Sequence, residues 1–288
     1  MLRLSYDGTF EGLLTILAGV CRGDPLPDRL TRIPPGTEPE QPDLFGPGGL
    51  PGDAFCPASR EDAAALAEEF FELSAGAYDS FLCGWMSEFP IAAECIRFGG
   101  KVFSAARSAA EAAGGGMGSP EARDGADRAA AGRGDPDVRT VLDAAYKVRY
   151  EAERLLGFLR FRPDCRGIYI ARCAPDHFVL PRLAGHFFRR FGETPWLIVD
   201  EKRGLCLRGD GRGEPRLLNP AALSQETSPG GTEEPGLSSG EYPGDLPWEE
   251  LWRTYHASIN NPLRKNPGLQ RQFMPLRYRK YLTEMGGG

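Results

Sequence analysis

Gly167-Ile168-Tyr169-Ile170-Ala171-Arg172-Cys173 and Pro195-Trp196-Leu197-Ile198-Val199-Asp200 decide the fold class of this chain. Both are short apolar runs rich in β-branched and aromatic residues, the composition of a buried strand. Between them, Pro181 opens a helix that runs to Phe191. After the second run, Glu201-Lys202-Arg203 turns the chain, and Gly204 to Arg208 returns antiparallel, with Arg216-Leu217-Leu218 as a third strand. Strands and helices therefore do not alternate regularly. That pattern predicts an α+β fold with a small, partly antiparallel sheet packed with several helices, rather than a doubly wound sheet.

Toward the N-terminus, Leu2 to Tyr6 reads as a short strand. Asp7-Gly8 turns the chain, and Thr9 caps a helix with Phe10, Leu13, Leu14, Leu17 and Val20 on one face. Ser59 with Asp62 resembles a capping box and starts a helix through Leu66, Phe70 and Leu73. A second helical pattern covers Ala77 to Phe89, Pro90 suits the start of a third running toward Ala113, and Asp135-Pro136 starts a fourth that reaches Phe161.

Three stretches break this pattern, at about 23–57, 114–134 and 219–244. The first is rich in Pro, Gly and acid. The second is Gly/Ala/Arg/Asp-rich with Met117 as its one large apolar residue, too little apolar surface to offset the entropy of ordering. The expectation is a single domain, 1–288, carrying three flexible insertions.

The chain has a formal net charge of −6 and seven cysteines with no C-x-x-C spacing. An odd number so spaced predicts reduced thiols rather than a disulfide framework or zinc ribbon. No apolar run approaches the roughly 20 residues needed to span a bilayer. The opening residues, with Asp7 early, lack the order of a secretion signal, so a cytoplasmic location is expected. No phosphate-binding loop, dinucleotide fingerprint, nucleophile elbow or H-E-x-x-H is present, and no cofactor is implied.

Chemistry-bearing residues concentrate in three places. On the helix to Phe191, Leu180, Leu183, Ala184, Phe187, Phe188 and Phe191 fall on one side at about 100° per residue. Arg182, His186, Arg189 and Arg190 fall on the other, with no acid among them. Just before it, Asp176-His177 is the best acid–base pair, since a carboxylate can hold an imidazole in one tautomer. Asp176 is equally a helix cap. Asp7, at a strand-to-helix turn, is a further weak catalytic candidate that also explains itself as a turn residue. Asp176, His177, His186 and His256 have no metal-ligand spacing, so no metal site is expected.

The third place is the C-terminal end. Arg253 to Thr283 holds seven cations and no Asp or Glu, with Tyr255, Phe273, Tyr278 and Tyr281 threaded through. Cations placed for phosphates, with rings able to stack on bases, suit nucleic acid. Arg253, His256, Arg264, Lys265, Gln270, Arg271, Arg277, Tyr278 and Lys280 are the candidate contacts. Arg and Gln also read purine edges. The competing reading packs this basic end on the protein's own acidic remainder or on a partner protein.

Taken together, these stretches resemble a known family. Its N-terminal signature is matched by Tyr6-Asp7-Gly8-Thr9-Phe10-Glu11-Gly12-Leu13-Leu14. Its centre is matched by Pro175-Asp176-His177-x-Val179-Leu180-Pro181, His186-Phe187-x-x-Arg190-Phe191 and Pro195-Trp196-Leu197-Ile198-x-Asp200. Its end is matched by Asn266-Pro267-x-Leu269-Gln270-Arg271-Gln272-x-Met274-Pro275-x-Arg277-Tyr278. The family comprises bacterial proteins of unassigned biochemistry labelled with DNA metabolism or DNA repair. They are typically encoded beside a radical-SAM DNA repair or modification protein, and in other chains the domain is fused to a uracil-DNA-glycosylase-like domain. The resemblance implies DNA and a radical-SAM protein as partners. The function it implies is that of a nucleic-acid-binding accessory. A nucleic-acid-processing enzyme using Asp176 and His177, and a protein–protein adaptor docking through the basic end, are the alternatives. Phe273 and Arg279 stand where members often carry His and Trp, so no catalytic His comes from this tail.

Overall fold

The computed structural model describes residues 2–33, 54–164, 166–219, 268, 274 and 276–282. The architecture is α+β, with two small sheets and eight helices among the described residues. The chain divides into two compact units, Met1–Arg149 and Tyr150–Gly288, where the sequence reading expects one domain.

The first unit opens with β1 (Arg3–Tyr6) and α1 (Phe10–Arg22). As the sequence suggests, Thr9 caps α1, its hydroxyl accepting from Gly12 N at 2.9 Å. Gly23 closes it in a left-handed conformation with φ 114°. β2 (Arg29–Arg32) and β3 (Ala54–Cys56) flank β1, both parallel to it. These two strands lie inside the 23–57 stretch read as an insertion; runs of four and three residues amid Pro and Gly carry no periodicity to detect.

Then come α2 (Arg60–Leu73), α3 (Ala75–Met86), α4 (Ala92–Ala113) and α5 (Pro120–Ala131). Ser59 caps α2, but the reciprocal arm of a capping box is absent: Ser59 N donates to Thr15 Oγ1 at 3.0 Å, and Asp62 pairs with Arg22. α4 begins two residues later than Pro90, with Ile91 as its cap. The core gathers Leu13, Leu17, Phe70, Phe81, Ile96, Phe98 and Val102, with the Phe70 ring 5.1 to 5.8 Å from those of Phe103, Phe81 and Tyr78.

α5 overturns the expectation that 114–134 is a flexible insertion. Ala122 and Ala126 are fully buried, and Gly125 approaches so closely that a Cβ there would lie 2.8 Å from both the Ala105 carbonyl oxygen and Ala109 Cβ. The segment lacks large apolar residues because small ones let its backbone lie against α4. Close packing of backbones supplies dispersion contact that a count of large side chains misses. Residues 220–244 of the third expected insertion lie outside the described residues.

α6 (Pro136–Phe158) begins in the first unit and ends in the second. The second unit continues with β4 (Arg162–Pro163), β5 (Tyr169–Cys173), α7 (Leu180–Phe191), β6 (Trp196–Asp200), β7 (Leu205–Gly209), β8 (Arg216–Leu218) and a short α8 (Leu276–Arg279). The five strands form one sheet in chain order. β5 and β6 are parallel, joined through α7, and the other neighbours are antiparallel. This is the mixed sheet the opening stretch implies, with β4 added. Tyr169, Ala171 and Cys173 pair with Trp196, Ile198 and Asp200, so these six share one face. α7 covers that face: Phe187 and Phe191 stand 6.0 and 6.1 Å from Trp196, and Phe161 packs on both phenylalanines.

Candidate functional site

α7 has no side-chain cap; its start is set by Pro181 in the first turn, where a missing N–H costs nothing. Leu180, Leu183 and Phe187 are fully buried against the sheet. Phe188, read from the sequence as a core position, is 39% exposed, because it sits at the edge of the apolar stripe. Arg189 and Arg190 are exposed in the last turn, where cations also complement the helix dipole. Arg182 and His186 are half-buried, and the His186 ring meets the Phe187 ring edge-on at 4.9 Å. The predicted basic face is thus assembled on one helix.

The opposite face of the sheet carries a second row of cations that the sequence reading missed. Register places Arg162, Ile170, Leu197, Arg208 and Arg216 side by side across all five strands. Each arginine sits in a strand too short or too weakly patterned to reveal which face it joins.

Asp176 and His177 do not form the tautomer-setting pair considered above. Their backbone N–H groups donate to the two carboxylate oxygens of Glu151, at 2.9 and 2.8 Å. The Asp176 side chain turns to Arg277 instead. Arg277 also donates to Glu151 Oε1 at 3.0 Å, and the Tyr278 hydroxyl donates to the same oxygen at 2.5 Å. Four donors therefore converge on one buried carboxylate. Burial, then the bond to Glu151, pushes the Tyr278 phenol well above its usual range. Desolvation alone would lower Arg277, but Tyr278, Asp176 and Glu151 outweigh it and raise it. So committed a carboxylate acts as a clamp, tying α6 to the loop before α7 and to α8.

Glu151 left a signal in the sequence. It stands three residues after Val148 and four before Leu155, on the apolar stripe of α6, and an acid there must find donors. A similar anchor follows β6. Asp200, fully buried, accepts from Lys202 N at 3.0 Å and pairs with Arg203 at 2.8 Å. Arg203 and Lys202 in turn donate to the Asp176 carbonyl, both at 2.8 Å.

The described end of the basic tail is held by the protein's own acids. Lys280 pairs with Glu201 at 3.3 Å, and the Tyr281 hydroxyl donates to it at 2.6 Å. Tyr278 is 2% exposed, its ring against Phe158 at 5.4 Å. A ring buried to that degree does not stack on a base, so Tyr278 is a positioning residue, a correction to its place among the candidate contacts. Arg253, His256, Arg264, Lys265, Gln270 and Arg271 lie outside the described residues.

In the first unit, Asp7 Oδ1 accepts from Thr9 N at 2.9 Å and Thr9 Oγ1 at 2.7 Å, which is the turn-and-cap role. Six described cysteines are free thiols, and burial drives Cys95 and Cys173 far above the range in which a thiolate forms. Among the described residues no three His, Cys, Asp or Glu side chains are placed to hold a metal ion, and no helix is long and apolar enough to cross a membrane.

No curated protein and no solved structure matches the chain. A family model does, over residues 122–284, a stretch that holds the Glu151 clamp, α7 and the whole five-stranded sheet. The chain belongs to the family described as DUF4130, a domain of unknown function.

Proposed function

We propose that this protein binds nucleic acid in DNA metabolism, contacting backbone phosphates through the outward face of α7. The observation that carries the reading is the exposure of Arg189 and Arg190 on a helix that has Arg182 and His186 on the same side and no acid anywhere along it. An ordinary solvated face mixes signs. A face of cations alone is what phosphate contact requires, because each neutralised phosphate releases condensed counterions. The arginines aligned across the far side of the sheet add to this basic character. The resemblance described above supplies the biological setting: DNA repair, in company with a radical-SAM protein. Because Arg277 and Lys280 are paired internally, α7 takes the leading role that the sequence reading shared with them.

Fluorescence anisotropy of labelled single- and double-stranded DNA across a salt series tests the reading. Arg189→Ala/Arg190→Ala is expected to lower affinity and to reduce the slope of log K against log salt by about 2. Binding that is absent at low salt, or whose slope the variant leaves unchanged, overturns it.

A further inference from the structure

The first unit carries an open cavity of about 440 Å³, and its lining residues run from Tyr6 to Cys95, outside the stretch matched to the family. Rings supply part of its wall: Tyr6, Trp85 and Phe89. Trp85 is fixed in place, its indole N–H donating to the Gly8 carbonyl at 3.1 Å and its ring 5.4 Å from that of Phe10. Three acids, Asp28, Glu88 and Glu94, and two arginines line the cavity, and they differ in how they are engaged. Asp28 accepts from Leu2 N at 2.6 Å, and Glu94 pairs with Arg97 at 3.0 Å. Arg29 and Arg32, exposed on the edge strand β2, have no ion pair and no side-chain hydrogen bond among the described residues, and of the two it is Arg32 that shares the face of its β1 partner Tyr6. Arg32 crosses the turn after β1 so closely that a Cβ on Gly8 would meet its Nε at 2.3 Å, and the carbonyl of the same Gly8 holds the Trp85 indole.

Glu88, also on the wall, carries the one positive φ (58°) of any described non-glycine residue. Such backbone persists where the surroundings over-determine it, and it clusters at ligand sites. A cavity of this size with an aromatic wall and a few convergent polar groups is the usual form of a small-molecule site.

We propose that this cavity binds a small molecule that joins a flat ring to an anionic group, the ring against Trp85 and the anion on Arg32. The guanidinium fork suits phosphate or carboxylate, and the indole face suits a heteroaromatic ring. A nucleoside monophosphate has both halves and is the probe of choice. The proposal does not depend on DNA binding by α7.

Isothermal titration of the full chain with adenosine and uridine 5′-monophosphate tests it, with the nucleosides and inorganic phosphate as separate arms. The expected result is that at least one monophosphate binds more than about tenfold tighter than either half alone, a difference worth about 1.4 kcal/mol. Arg32→Ala should lose about tenfold or more, while Arg189→Ala/Arg190→Ala leaves the affinity unchanged. Should Arg32→Ala fold poorly, Arg32→Gln is read in its place. No monophosphate binding, equal binding of phosphate alone, or affinity indifferent to Arg32 overturns the proposal. Loss in the Arg189/Arg190 variant moves the site to α7 and also overturns it.

Discussion

The Tyr278 hydroxyl lies 2.5 Å from Glu151 Oε1, closing a contact between residues 127 positions apart. Glu151 is 5% exposed and also accepts from two backbone N–H groups and Arg277, so its buried charge is met entirely by hydrogen bonds within the cluster. Tyr278→Phe is expected to cost about 1.5–3 kcal/mol, the range for a bond to a charged group. Glu151→Ala leaves the two backbone N–H groups and the Tyr278 hydroxyl without this acceptor, while Arg277 keeps Asp176, and it should cost more than Tyr278→Phe. Urea denaturation followed by Trp fluorescence checks both; a loss below about 0.5 kcal/mol for Glu151→Ala would show that the clamp carries no stability.

Acid should loosen the tail through Glu201. Burial by itself would raise this carboxyl, but the bonds from Tyr281 and Lys280, with Arg172 nearby, outweigh it and hold the group below its ordinary 4.5. A carboxyl depressed on folding adds stability that is fully present above its unfolded value and is lost as the pH falls through the folded one. Wild type should therefore be more stable than Glu201→Gln above about pH 5, and the gap should close below about pH 4. Melting temperatures across this range decide it, since acid effects elsewhere are common to both proteins. A gap that is constant with pH would mean Glu201 is not ionised in this contact.

Much of this fold was legible in the sequence because its long elements are periodic and capped. Thr9, Ser59 and Pro181 each mark a helix start that the structure keeps, and the 167–208 run carried the mixed sheet. β2 and β3 escaped because a three- or four-residue strand is defined by its neighbour, β1, and not by its own pattern. α5 escaped because its apolar content is alanine. The basic side of α7 was visible from spacing alone, whereas the clamp was not. Asp176 and His177 attracted notice as an acid–base pair, yet the clamp takes their backbone amides, which every residue but proline possesses, and the Asp176 carboxylate goes to Arg277. Glu151 was findable only as an acid on an apolar stripe.

Gly125 makes a sharp test of the α4–α5 contact. A methyl group at this position meets the Ala105 carbonyl oxygen at 2.8 Å, and backbone does not move aside as a flexible side chain would. Gly125→Ala would raise intrinsic helix propensity by about 1 kcal/mol in an exposed helix, so propensity alone predicts stabilisation. Overpacking costs about 1–3 kcal/mol and should win, giving net destabilisation. A more stable Gly125→Ala protein would mean that α5 is not seated against α4.

Trp196 and Gly209 form the corresponding test in the sheet. They are direct partners across β6 and β7, and a Cβ on Gly209 would fall 2.4 Å from the indole Nε1 and Cε2. The Trp196 ring is fully buried and lies between Phe187, Phe191 and the backbone of Gly209, so it has nowhere to retreat except into the α7 contact. Gly209→Ala must therefore either displace the indole or lift α7, and about 1–3 kcal/mol is the expected cost. Displacement of Trp196 alone should shift its emission while leaving the proposed DNA binding intact. Lifting of α7 should also change the salt slope proposed for Arg189 and Arg190, because those side chains would lose their common bearing. An unaltered stability and emission spectrum would refute the packing of Trp196 on Gly209.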